Sequence, residues 1–241
     1  VTDAQPTVVL VHGAFAESAS WNGVIEALHT QDVTAVAVAN PLRSISGDAA
    51  YVRDVIAAIN GPVVLVGHSY GGLVITEAAS NNPAVVALVY VAAFAPETGE
   101  SALALSSKFP GSTLGETLIS YPVATGGNEL AIRQDLFHHQ FVADATDEQA
   151  ALMAATQRPV TEAALGEGLP TSDPAWKSIP SWFVFGDQDL NIPVAVLRFC
   201  AERAGARETT EIAGASHALS VAHADAVSAS IFAALSAVPA A

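Results

Sequence analysis

Ten residues constrain this chain more than any others: Val63-Val64-Leu65-Val66-Gly67-His68-Ser69-Tyr70-Gly71-Gly72. The four leading apolar residues, mostly β-branched, predict a strand buried on both faces, because a sheet covered by helices reads as an unbroken apolar run. Leu73 to Ser80 predict a helix. Between them a Gly-x-Ser-x-Gly turn places a serine at the apex of strand, sharp turn and helix. Such a turn strains the serine backbone and demands small residues two positions away on either side. Gly67 and Gly71 meet that demand, and Gly72 keeps the helix start open. The turn lifts the Ser69 hydroxyl above the sheet edge and aims a helix N-terminus at it, which favours an oxyanion. The motif is short and recurs by chance, so Ser69 as nucleophile needs partners elsewhere in the chain.

Around this stretch the chain alternates. Thr7 to Val11 reads as a strand, followed by a helix through Trp21, Ile25 and Leu28 that Ser18 or Ser20 could cap. Val33 to Ala39 is a strand, Ala49 to Ile59 a helix and Val85 to Val91 a buried strand. The order predicts an α/β fold, a mostly parallel sheet flanked by helices. From Pro96 to Lys177 the pattern changes to Gly126-Gly127, prolines and short helical segments (128–141 and 147–155), with no strong strand. This predicts an inserted helical cap over 96–177 and a core made of 1–95 and 178–241. The apolar cap residues Leu103, Phe109, Leu114, Leu136, Phe137 and Leu152 then need a surface to pack on. Trp182 to Phe185 resumes the sheet. Val194 to Ala204 is a helix, Glu208 to Ile212 the last strand, and a final helix runs from about His223 to Leu235. The lone Cys200 sits in an apolar helical pattern, reads as core, and leaves no partner for an internal disulfide.

Open α/β sheets bind ligands at the carboxyl ends of their strands. Ser69, then Asp187 or Asp189, then His217 all fall there, in that chain order. A serine hydroxyl needs a histidine to take its proton and a carboxylate to hold that histidine in the right tautomer. His223 competes with His217 but opens a helix. His68 and His12 read as residues that orient their turns, and the His138–His139 pair points two ways on a helix. No spacing suggests a metal, and no cofactor motif is present. Two backbone amides should face the oxyanion: that of Tyr70, and that of Ala14 in the loop after the first strand, where Gly13 permits the turn. The Tyr70 phenol then serves as pocket wall.

The net charge of −15 is spread over 241 residues without a basic patch, which argues against nucleic acid and anionic membranes. No apolar run is long enough to span a bilayer and no signal peptide is visible, so the expectation is a soluble chain, cytoplasmic or secreted after processing. Oligomeric state is not legible.

Val-His-Gly-Ala-Phe, Gly-His-Ser-Tyr-Gly-Gly and Gly-Asp-Gln-Asp-Leu-Asn-Ile-Pro together resemble the α/β-hydrolase superfamily over essentially the whole chain. Thr156-Gln157-Arg158-Pro159 resembles the Arg-Pro element of its capped branch, which contains plant methylesterases and hydroxynitrile lyases. The resemblance implies the α/β-hydrolase fold and selects Asp189, three residues after Gly186 and four before Pro193, leaving Asp187 as a turn residue. Hydroxynitrile lyases of this branch carry a threonine where Gly13 stands and a lysine where Ala218 stands, so lyase chemistry is not expected. Dehalogenases and epoxide hydrolases use an aspartate where Ser69 stands. With Thr7 already opening the first expected parallel strand, the superfamily's opening antiparallel strands are expected to be missing or shortened. The expected function is a metal-free, cofactor-free serine esterase with Ser69, Asp189 and His217 catalytic and Ala14 and Tyr70 lining the oxyanion hole. Its expected partner is a small, mainly apolar, uncharged ester. A lactonase or perhydrolase on the same triad, or a non-catalytic small-molecule receptor, are the alternatives.

Overall fold

The computed structural model describes residues 5–238; residues 1–4 and 239–241 of the two expected core segments lie outside it. The first half alternates strictly: β1 (Thr7–Val11), α1 (Asn22–His29), β2 (Ala35–Val38), α2 (Ile45–Ala57), β3 (Val63–His68), α3 (Gly71–Ala79) and β4 (Val85–Val91). Next come α4 (Ala102–Ser106), β5 (Leu118–Pro122), β6 (Asn128–Ile132), α5 (Gln134–Phe141), α6 (Asp147–Thr156), β7 (Val160–Thr161) and α7 (Glu162–Gly166). The chain then returns with β8 (Ser181–Gly186), α8 (Val194–Arg203), β9 (Glu208–Ile212), α9 (Leu219–Ala222) and α10 (Ala224–Ala237). Among the described residues no helix is long and apolar enough to cross a membrane.

Six strands form one sheet in the order β2-β1-β3-β4-β8-β9, and every neighbouring pair is parallel. Side chains alternate across it with the strand period of two. Val9, Val11, Leu65, Tyr90 and Phe185 face one apolar layer, and Val8, Leu10, Val66, Val91 and Val184 face the other. Both layers exclude water, which is why β3 is buried at all six positions and carries no polar face. After β1 the chain steps to one side, to β2, and then back past β1 to β3. That reversal sets the loop after β1 beside the turn after β3, the crevice where open sheets of this kind hold ligands.

The segment between β4 and β8 departs from the sequence expectation of a purely helical cap. It contains a three-stranded antiparallel sheet, β5-β6-β7, beside its helices. Asn128–Ile132, expected as the start of a helix, is β6, and the helix begins at Gln134. Gly126 and Gly127 form the tip of the β5–β6 hairpin with φ of 98° and 76°, a backbone region that glycine enters without steric cost. Phe137 is fully buried, but Leu103 and Leu152 are 53% and 68% exposed and do not pack as expected. The other differences are local. A 3-10 turn over Ser18–Trp21 precedes α1, and its N-cap Glu17 has no side-chain capping bond; Ser20 instead donates to the Glu17 carbonyl. The final helix begins at Ala224, close to the expected start, and a short unexpected helix, α9, precedes it across His223.

Candidate active site

The turn after β3 holds Ser69 at φ 56°, a left-handed conformation that costs a non-glycine residue free energy and persists only where its surroundings enforce it. The enforcement is steric and reciprocal. A Cβ on Gly67 would lie 2.6 Å from the Gly71 carbonyl oxygen, and one on Gly71 would lie 2.5 Å from that of Val11. The Ser69 amide donates to the Val91 carbonyl (3.2 Å), fixing the apex to β4. The loop after β1 packs on this turn just as closely. A Cβ on Gly13 would come within 2.7 Å of the Ser69 Cβ and 3.3 Å of the Tyr70 nitrogen. Ala14 and Tyr70 line the same cavity as Ser69, and among the described residues neither amide donates to a protein acceptor.

His217 follows β9, and its Nδ1 lies 2.6 Å from Asp189 Oδ2, with both side chains almost wholly buried. The other Asp189 oxygen accepts from the amides of Asn191 (2.8 Å) and Ile192 (2.9 Å). Both carboxylate oxygens are therefore engaged, which holds Asp189 in place. Asp187 is partly exposed and serves the turn, accepting from the Gly214 amide at 2.7 Å. His217 Nε2 is buried without a hydrogen-bond partner among the described residues, Ser69 included.

Four further histidines have structural partners. His12 Nδ1 donates to the Gly13 carbonyl (2.9 Å), so its Nε2 must accept from the Asn40 amide (3.1 Å). Burial favours this neutral form and lowers its pKa to about 4. His68 Nε2 donates to the His217 carbonyl (3.0 Å), linking the serine turn directly to the histidine loop; burial, then the neighbouring His217, hold it well below the ordinary value. His223 Nε2 is 2.7 Å from Asp144, so its ring nitrogen is turned to that carboxylate and not to Asp189. His138 lies 3.2 Å from Asp147. Cys200 is fully buried, and burial pushes its thiol up. The Tyr70 hydroxyl donates to buried Asp48 at 2.9 Å; burial, then the Asp48 charge, push the phenol far above its ordinary range. Arg158 spends its Nε on the Pro41 carbonyl (3.2 Å), in keeping with a structural role. Among the described residues no three His, Cys, Asp or Glu side chains gather to hold a metal ion.

A cavity of about 50 Å³ opens on Ser69, walled by Phe15, Phe94, Leu103, Leu114, Leu165 and Ile192, and no charged side chain lines it. Sequence reasoning missed four polar residues that support this site: Asn40, Asp48, Gln140 and Asp144. Each is joined to it only through tertiary contact, so neither spacing nor motif marks it.

A family model described as the alpha/beta hydrolase family matches residues 8–230. An alpha/beta hydrolase of Aspergillus novofumigatus (strain IBT 16806), nvfD, is 28% identical over 229 residues, covering 84% of this chain and 86% of that protein. A carbendazim hydrolyzing esterase of Nocardioides sp. (strain SG-4G) is 48% identical over 63 residues, covering 24% of this chain and 26% of that protein. Among solved structures, polyneuridine aldehyde esterase matches with a TM-score of 0.82 at 19% identity, over 95% of this chain and 99% of that one. The serine turn, the parallel sheet and the match over nearly the whole chain lead to one conclusion: this chain belongs to the alpha/beta hydrolase family.

Proposed function

We propose that this chain is a serine carboxylesterase that cleaves a small, mainly apolar, uncharged ester through a Ser69–His217–Asp189 triad and an acyl-enzyme. The observation that carries the reading is the 2.6 Å contact between His217 Nδ1 and Asp189, which leaves His217 Nε2 unpartnered beside the serine turn. The carboxylate fixes the tautomer with the proton on Nδ1, so Nε2 is a base. Its hydrogen bond to the serine closes when substrate orders the site, as is common for enzymes without ligand. Ser69 Oγ attacks the ester carbonyl as His217 takes its proton. The Ala14 and Tyr70 amides hold the oxyanion. His217 returns the proton to the leaving alcohol, then activates a water that releases the acid and regenerates Ser69.

The substrate reading rests on the cavity. An apolar pocket without a charged wall favours neutral groups, because a buried, unpaired charge costs several kcal/mol. Residues 96–177 act as a cap in this proposal, since Leu103, Leu114 and Leu165 come from that segment and close the pocket over Ser69. The relatives' names, esterase and hydrolase, agree with ester hydrolysis. Ser69→Ala should abolish hydrolysis of a chromogenic short-chain ester while leaving the melting temperature within a few degrees. A fluorophosphonate should label the wild-type chain at Ser69. Turnover or labelling that survives in Ser69→Ala would dismiss the triad.

A further inference from the structure

Two loops carry the proposed acid and base, and both are held from outside by one short stretch of the inserted segment. Gln140, on the last turn of α5 and 3% exposed, reaches the acid loop. Its Nε2 donates to the Leu190 carbonyl (3.0 Å) and to Asn191 Oδ1 (2.8 Å). The Asn191 amide in turn donates to Asp189 Oδ1, so Gln140 stands one residue behind the carboxylate. Thr113 completes the arrangement: its hydroxyl donates to Gln140 Oε1 (2.9 Å) and its amide to the Leu190 carbonyl (3.0 Å).

The same stretch holds both chain neighbours of His217. The Ala218 amide donates to the Phe141 carbonyl (3.1 Å), and the Phe141 ring meets the His217 ring edge-on, with centroids 5.1 Å apart. The Ser216 amide donates to Asp144 Oδ2 (3.0 Å) and the Ser216 hydroxyl donates to Asp144 Oδ1. His223 Nε2 lies 2.7 Å from the same carboxylate. Burial opposes the charge on Asp144, but the Ser216 hydroxyl and amide and the His223 ring outweigh it and hold the carboxyl below its usual value. Asp144 is thus a charged acceptor at working pH, and hydrogen bonds to a charged acceptor are the strong ones.

We propose that Gln140 and Asp144 are positioning residues for the Asp189–His217 pair, bracing the two loops against each other from the inserted segment. The proposal rests on the triad reading above. Neither residue lines the pocket at Ser69; Gln140 also touches Asn191, which does, whereas Asp144 reaches only the loop that carries His217. A small displacement of a catalytic group is enough to cost a large part of the rate. The brace therefore acts on kcat rather than on binding.

The test compares Asp144→Asn and Gln140→Leu, both close to the original side chain in volume, with the wild-type chain and with Ser69→Ala. Four readouts are needed: kcat, KM, melting temperature and the far-downfield proton resonance of the His217–Asp189 hydrogen bond. Each variant should lose roughly tenfold to a hundredfold in kcat. KM should stay within about twofold in Asp144→Asn, which touches no pocket residue and so leaves uniform substrate binding intact. The downfield resonance should shift or broaden. Ser216→Ala, which removes only the hydroxyl from the brace, should cost less than Asp144→Asn and add nothing to it, since both break one connection. A raised KM with unchanged kcat, or a lower melting temperature with wild-type kcat and resonance, would reduce these residues to structural ones and overturn the proposal. The two levels separate cleanly. An inactive Ser69→Ala beside fully active Asp144→Asn and Gln140→Leu defeats the brace alone, whereas an active Ser69→Ala defeats the triad beneath it.

Discussion

Asp187 and Asp189 are the same residue type two positions apart at the end of β8, and their surroundings give them different tasks. Asp189 is 5% exposed, and its oxygens are divided between His217 and two amides. Asp187 accepts one amide bond from Gly214 at the protein surface. Asp189→Asn would place an amide against His217 Nδ1 and favour the wrong tautomer, for which a loss of up to about 10⁴ in kcat is the precedent in serine proteases. Asp187→Asn keeps an acceptor and should change kcat less than about threefold and stability by no more than about 1 kcal/mol, the net worth of one such bond. Steady-state kinetics and urea denaturation of the two variants check both statements, and a larger kinetic loss at Asp187 would exchange their roles. At this scale the sequence could narrow the acid only to the pair. Both residues follow the same strand, and it was the resemblance to a family pattern that separated them; the physical distinction lies in which carboxylate faces the histidine, a tertiary fact.

Elements were legible in proportion to how completely they are buried. β3 and β4 are covered on both faces, so their sequences are apolar runs with nothing polar to interrupt them. β5 and β6 are half-covered strands of a small antiparallel sheet, and four of the five β5 residues are exposed. Leu-Ile-Ser-Tyr-Pro and Asn-Glu-Leu-Ala-Ile therefore carry no clean alternation, and the polar start of β6 merges with the helix after it. The brace was invisible for a related reason: Gln140 and Asp144 look like ordinary polar residues at a helix end. What the inserted elements do to the pocket leads to a prediction about size. Leu165 of α7 is 8% exposed and closes one side of the cavity of about 50 Å³ at Ser69. Leu165→Ala removes three carbons from that wall. One methylene in an apolar pocket is worth roughly tenfold or more in discrimination. The ratio of kcat/KM for an octanoate ester to that for an acetate ester should therefore rise at least about tenfold; an unchanged ratio would mean that the acyl chain lies elsewhere.

Over the whole molecule, the buried neutral histidines make the fold sensitive to acid. His12 has a pKa of about 4 in the folded chain, against roughly 6.5 when unfolded. Above pH ~6.5 neither state takes the proton and the contribution is constant. As pH falls from there towards 4, the unfolded chain binds a proton that the folded one refuses, so stability drops by about 3 kcal/mol from His12 alone. His68, lowered for the same reason, adds to the loss. Surface carboxylates complicate the measurement, because a net charge of −15 relaxes as they protonate. Urea denaturation at pH 7.5, 5.5 and 4.5 in molar salt, which screens the surface charges, isolates the buried groups. Equal stabilities at the three pH values would show that the histidines are not held neutral. The Phe141 carbonyl and the Asp144 carboxylate, which reach from the inserted segment to either side of His217, bear on how such a molecule can be altered. An engineer who exchanges that segment for another, hoping to change the substrate range and keep the chemistry, would also remove what holds Ser216 and Ala218. On the brace proposed above, the unit that can be exchanged is smaller than the segment between β4 and β8: it is that segment with residues 140–144 left in place.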